Sequence, residues 1–364
     1  MKIAIFIPDL RGGGAERVFV NLAHSFLNKG YEVDFVLIKK QGELLDILPN
    51  SVNIIDLGAS RILKSFLPLR RYLKNEKPDA LIAVMWPLTI LATLAAVSIK
   101  FKGKIILSDH NTLSLSTKGW SAFRRKSLST SIKFIYPLAN MSLVVSEGVA
   151  DDISSFTNLD RSNFKVIHNP IFIQSPNPDD TEIEKIEKRF KYRIVNLGAL
   201  SEQKNQALLI KAFSLIVDKL DIELVILGDG PLKSELEELI SKLKLNNKVF
   251  MPGFITDPSQ WYKQSDLFVL SSIYEGLPMV LLEALTFGLP IVSSDCKSGP
   301  REILCDGKYG KLVPVGDAEA LAQAMIEALQ EEHDINALKS RAADFSVDKI
   351  AEQYLDVMFP ERLR

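Results

Sequence analysis

The chain has 364 residues, 47% of them hydrophobic and 24% charged, with a formal net charge of −1. This excludes a disordered or strongly nucleic-acid-like composition, and the length exceeds one ordinary core, so two domains are expected. The only cysteines, Cys296 and Cys305, exclude a disulfide framework and suggest a reducing compartment. The near-neutral total hides an asymmetry. Residues 1–170 hold 22 basic and 14 acidic side chains, leaving 22 and 31 for residues 171–364. The front half is therefore near +8 and the back half near −9, which points the front half toward an anionic partner.

In chain order, KIAIFIP (2–8) predicts a central parallel strand, followed by the loop DLRGGG and a helix from about Ala15 to Lys29. No secretory leader is expected, because the strand starts at once. YEVDFVLI (31–38) predicts the next strand. A dinucleotide fingerprint would need glycine where Arg17 stands and an acid where Lys39-Lys40 end that strand, which argues against a nicotinamide enzyme. Further strands are predicted at 53–57, 80–85, 104–108, 141–146 and 165–171. The charge-free run 80–99 is long enough to span a bilayer. Pro87 divides it, however, so a buried strand followed by a buried helix is the better reading.

A polar, proline-rich passage at 175–182 reads as a linker. The pattern then restarts with a strand at 192–200, a helix at about 205–220, a strand at 223–230, a helix to about Leu243, and strands at 248–254 and 266–272. Strands at 290–295 and 310–315 and helices from Ala318 onward complete the chain. Two doubly wound halves are therefore expected, with a ligand at the carboxyl ends of their strands in a central cleft. The expected division is 1–170 and 171–344, with 345–364 returning to the first domain.

The most informative stretch is SSIYEGLPMVLLEALTFGLPIVSSD (271–295). Pro278 suits a first helical position and Gly288 a stop. The loop before the helix therefore presents free amides at a helix N-terminus, a phosphate site. Glu275 stands at the mouth of that helix, and Glu283 lies further in, where a carboxylate can accept from two vicinal hydroxyls. The bland reading is a buried α/β unit with two incidental acids. No His, Cys, Asp or Glu cluster has metal-ligand spacing and no Asp-x-Asp pair occurs, so neither metal nor cofactor is expected.

With these pieces placed, the chain resembles the retaining glycosyltransferases of family 4, which have the GT-B fold of two Rossmann-like domains. The resemblance rests on IPDLRGGGAERV, VIHNPI, GALSEQKNQALLIKAF, LGDGPL, PGF, YEGLPMVLLEA with its Glu-x7-Glu pair, SSDCKSGPREIL and the closing FSVDKIAEQYLDVM. It implies that Glu283 binds the ribose and Glu275 the donor sugar. The amides of Gly276, Leu277, Pro278, Met279, Val280 and Leu281 would hold the diphosphate, with Lys204 as a point charge on it. Gly13 and Gly14 would approach the same group, His110 would lie beside the sugar, and Gly253-Phe254 would contact the base. One departure stands out: Ala199 occupies the place of the family's usual arginine, with Arg17 or Arg301 as possible substitutes.

The resemblance implies a UDP-sugar donor and a lipid-linked or cell-surface glycan acceptor, without metal. The alternative is a non-catalytic sugar-nucleotide-binding subunit. His24 and His333 read as surface or packing residues within helices, and His168 as structural, with Asn169 a weaker site candidate. Basic clusters at 61–77, 100–104 and 118–126, the last beside Trp120 and Phe123, suggest an anionic membrane surface as partner. That implies a peripheral position on the inner face of the cytoplasmic membrane. No nucleic-acid module is legible.

Overall fold

The computed structural model describes residues 1–11, 13–172 and 186–363. The linker expected at 175–182 lies outside them. The chain divides into two compact units, Met1–Phe172 with Phe345–Arg364, and Ile173–Asp344.

The first unit is built on a seven-stranded parallel sheet: β1 (Lys2–Ile7), β2 (Glu32–Leu37), β3 (Asn53–Asp56), β4 (Ala80–Val84), β5 (Lys104–Asp109), β6 (Met141–Val144) and β7 (Phe164–Val166). Their order is β3-β2-β1-β4-β5-β6-β7. Strands covered on both faces must be apolar throughout, and Ile3 to Ile7 and Ala80 to Val84 are all fully buried. The charge-free run at 80–99 resolves into β4 and the helix Leu88–Ser98. Among the described residues no helix is long and apolar enough to cross a membrane. The helix Val347–Met358 lies against the helix Gly14–Asn28. Ser25 donates to Asp348 (2.7 Å), and Lys29 pairs with Glu352 (2.5 Å).

The second unit repeats the plan with β8 (Tyr192–Leu197), β9 (Ile222–Leu227), β10 (Val249–Gly253), β11 (Leu267–Leu270), β12 (Ile291–Ser294) and β13 (Lys311–Val313). The order is β10-β9-β8-β11-β12-β13, all parallel. The winding direction reverses between β1 and β4 in the first sheet and between β8 and β11 in the second. Loops at such a reversal diverge and leave a crevice at the carboxyl ends of the strands.

Three predicted elements differ. The strand expected at 165–171 ends at Val166, because its ladder partner β6 ends at Val144, directly opposite. Ile171 instead donates to Phe345 O (2.8 Å) and bridges to Ser346 of the returning chain. The helix expected to reach Leu220 ends at Ser214 and continues as turns with three-residue bonds, such as Ile216 N to Phe213 O (3.1 Å). His333 lies between the helices Ala318–Gln330 and Ile335–Ala343 rather than in one, with Nε2 2.7 Å from Ala328 O.

Candidate active site

In the second unit the loops that follow β8 and β11 leave adjacent strands at the reversal point, and four bonds tie them together. Ile273 N donates to Gln203 O (2.8 Å), and Gln203 Nε2 returns a bond to Tyr274 O (3.1 Å). Ser271 Oγ donates to Lys204 O (2.8 Å). Lys204 Nζ donates to Glu275 Oε1 (2.6 Å), and Ser272 Oγ donates to the same oxygen (2.6 Å). Glu275 is buried at 5% exposure. Both of its bonds fall on Oε1, which leaves Oε2 without a donor among the described residues. A carboxylate held this way is oriented, with one oxygen spare for a hydroxyl. Lys204 also packs its stem 3.5 Å from where a Cβ on Gly198 would stand.

The helix Met279–Phe287 begins where expected, but Pro278 is its N-cap rather than its first residue. Two of the six expected amide contacts are corrected by this geometry. Pro278 has no N–H to offer, and the Leu281 N–H already donates to Pro278 O (3.1 Å). The Met279 and Val280 amides, at the first two helical positions, have no acceptor among the described residues. Gly276 and Leu277 carry interactions of their own. Gly299 holds the loop from behind, at φ 90. A Cβ there would lie 2.5 Å from Pro278 Cδ and 3.0 Å from Gly276 O, so SGPREIL needs its glycine to let the backbone close on EGLP.

Glu283 is anchored by Tyr262. Its Oε2 accepts from Tyr262 OH (2.8 Å), and Tyr262 is buried and stacked on Phe287 with ring centroids 5.4 Å apart. Burial, then the Glu283 charge, holds the Tyr262 hydroxyl well above its usual range, so it stays a donor. Cys296 is buried, and its thiol is pushed up to about 12 by burial and then by Glu275, whereas Cys305 is exposed. Gly253, at φ 94, ends β10 and accepts from Gly228 N (2.8 Å), while Phe254 beside it is 68% exposed.

Ala199 contributes only its carbonyl, which accepts from Gln206 Nε2 (3.0 Å). Of the two candidates to replace the absent arginine, Arg301 is committed to Asp295 and Asp306. Arg17, in the first unit, is exposed and forms no ion pair among the described residues.

The other expected residues belong to the first unit. His110 follows β5, buried, with Nε2 3.1 Å from Ser108 Oγ. Burial pushes its imidazole down to about 4, with Asn169 as a weaker counterweight, so the ring is neutral at physiological pH. Its neighbour Asp109 is pushed up to about 6 by burial, against a bond from Tyr136 OH (2.8 Å). Gly13 is the N-cap of Gly14–Asn28, and a Cβ on it would meet the Glu16 carboxylate at 2.1 Å, whereas Gly14 faces open space. Glu16 therefore folds back over the helix start as the third residue of a capping box does. His168 sets its ring edge-on against Phe345, 5.3 Å between centroids, which fits a packing role.

Sequence reasoning missed Tyr262, Ser272, Gln203 and Glu16. Only Glu16, three residues after a cap, carries a local signal. The others act across loops or helices separated by 21 to 71 residues or by ordinary polar chemistry. Among the described residues no group of three or more His, Cys, Asp or Glu could hold a metal ion.

Two doubly wound parallel-sheet units, the second with a cation–carboxylate pair at its reversal point, are the layout of the GT-B fold. Comparison with known proteins agrees. Residues 12–174 match "Glycosyltransferase Family 4" and residues 179–345 match "Glycosyl transferases group 1". A Campylobacter jejuni N-acetylgalactosamine-N,N'-diacetylbacillosaminyl-diphospho-undecaprenol 4-alpha-N-acetylgalactosaminyltransferase is 30% identical over 97% of this chain and 98% of its own. Among solved structures, the lipopolysaccharide outer core galactosyltransferase WaaB in its apo form matches with TM-score 0.78 at 21% identity, covering 99% of this chain and all of that one. Anabaena Alr3699/HepE in complex with UDP and glucose matches with TM-score 0.78 at 19% identity, over 98% of each chain. The chain belongs to the family-4, group-1 glycosyltransferases, and it is an enzyme of that class.

Proposed function

We propose that this enzyme transfers a hexose or N-acetylhexosamine from a nucleotide sugar, a UDP-sugar, to a lipid-linked or cell-surface glycan, with retention of anomeric configuration and without a metal. The observation that carries the reading is the Lys204–Glu275 pair beside the open Met279 and Val280 amides. As the bond to the sugar breaks, negative charge grows on the departing diphosphate. An ammonium and two helix-start amides would offset that charge. The phosphate draws Lys204 away from Glu275, which frees Oε1 as well as Oε2 for sugar hydroxyls. Glu283, oriented by Tyr262, is the ribose contact in this reading. His110 as a sugar contact, Gly13 and Gly14 as diphosphate contacts and Gly253-Phe254 as the base-binding turn belong to the same proposal.

The donor and acceptor classes draw support from the relatives. The Campylobacter jejuni enzyme is named for a diphospho-undecaprenol-linked acceptor, and HepE was solved with UDP and glucose. A peripheral place on the inner face of the cytoplasmic membrane follows from such an acceptor and from the basic first unit. The test is sugar release from a panel of UDP-, GDP- and ADP-sugars without acceptor. One UDP-sugar should be hydrolysed slowly, and Glu275→Ala should abolish the release while the fold is kept. Binding of a UDP-sugar with no hydrolysis and no transfer would favour the non-catalytic subunit, and binding of none would overturn the proposal.

A further inference from the structure

Three helices of the first unit, Phe66–Glu76, Leu88–Ser98 and Ala122–Ile135, pack side by side with the second in the middle. Their outer side is not an ordinary solvated surface. Leu67, Leu94, Val97, Phe123 and Phe134 are all exposed on these helices, Phe123 at 85%, and Leu63, in the turn just before the first helix, is exposed at 84%. Helix Ala122–Ile135 carries Arg124, Arg125, Lys126 and Lys133 and no acidic residue. Leu67, Arg70 and Lys74 follow one stripe of the first helix, so the apolar surface runs into a basic one.

Where the first two helices end, that stripe reaches a cavity of about 660 Å³. Its rim holds Arg70, Lys74, Lys77, Lys100, Lys102 and Lys104, against only Asp79 and Glu361. Asp79 is already engaged, accepting the Lys2 amide at 2.7 Å. None of the six basic residues forms an ion pair among the described residues. The floor is apolar, made by Leu73, Ile99, Phe101, Met358 and Phe359. Six uncompensated cations around one opening repel one another and favour an anion. An inorganic anion would leave the apolar floor unused, whereas a phosphate that carries an apolar body uses both.

We propose that this three-helix layer rests on an anionic bilayer and that the cavity holds the phosphate headgroup of one anionic phospholipid, with the start of its acyl region on Leu73 and Phe101. The inference rests on the proposed function only in placing the enzyme at a membrane. The experiment is flotation of the full chain with phosphatidylglycerol-containing vesicles and with neutral phosphatidylcholine vesicles. Lys74→Ala/Lys100→Ala/Lys102→Ala is compared with the parent, and donor hydrolysis is measured alongside.

The parent should float with the anionic vesicles only. Each surface lysine contributes about 5-fold to such binding, so the triple variant should lose about 100-fold in partition with donor hydrolysis unchanged. Soluble short-chain phosphatidylglycerol should bind the parent and not the variant. A parent that floats and a variant that floats equally well would overturn the headgroup site. A parent that hydrolyses donor but never floats would overturn the inference and leave the glycosyl-transfer reading standing. Flotation without hydrolysis of any sugar nucleotide would do the reverse. Inorganic phosphate that protects the cavity as well as the short-chain lipid does would also overturn the proposal.

Discussion

Replacing Lys204 by methionine tests the centre of the site. Its ammonium lies 2.6 Å from Glu275 Oε1, with side-chain exposures of 20% and 6%. At an effective dielectric near 20 the attraction is about 6 kcal/mol. Desolvation of both groups and the partial exposure of Lys204 offset much of this, leaving a coupling of roughly 2–4 kcal/mol. Lys204→Met should therefore destabilise the protein by about that amount, because Glu275 is left buried with only Ser272 as donor. Glu275→Gln keeps a neutral acceptor for Ser272 and should cost less. In the double variant the lysine deletion should add almost nothing. Urea denaturation of all four proteins measures the cycle, and donor hydrolysis of the single variants reads the functional half. Transfer should fall in Lys204→Met even under conditions where it is fully folded. A coupling below about 0.5 kcal/mol, or a Lys204→Met enzyme with the parent's turnover, would show that the pair neither holds the loops nor serves the phosphate.

Gly299→Ala should cost roughly 2–4 kcal/mol, from a left-handed φ of 90 and a Cβ forced to 2.5 Å from the Pro278 ring, and should weaken nucleotide binding. Calorimetry with UDP checks it, and parent-like affinity would remove Gly299 as the support of that loop. His110 makes a pH prediction. Its folded value, about 4, lies below the unfolded 6.5, so between these the unfolded chain binds the proton more readily. Its part of the stability is present above pH 6.5 and is lost as pH falls through about 4, roughly 3 kcal/mol in all. Asp109 has the opposite sign: its raised value makes burial costly above about pH 6, a cost relieved on acidification. The difference in unfolding free energy between parent and His110→Gln isolates the histidine and should slope between pH 6.5 and 4. A flat difference would refute its burial as a neutral ring.

Much of the site was legible in the chain because its motifs are local. Glu275, Pro278, Gly288 and Glu283 lie within one strand–loop–helix unit, and cap and stop chemistry is written in neighbouring residues. The alternation of apolar runs and amphipathic helices likewise determined two doubly wound halves, since strands covered on both faces must be apolar throughout. Tertiary structure decided what depends on distance along the chain. Lys204 and Glu275 stand 71 residues apart and meet because β8 and β11 are neighbours at the reversal of winding. Tyr262 reaches Glu283 from a separate short helix, a bond that no periodicity encodes. Arg301 also looked available as a cation, although the acids that engage it, Asp295 and Asp306, are near neighbours in the chain. The basic clusters were visible as composition, but only the packing of three helices turned them into one face with a cavity at its end. Local propensity acts over a few residues, whereas a charge takes its function from whatever the fold places within a few ångströms of it.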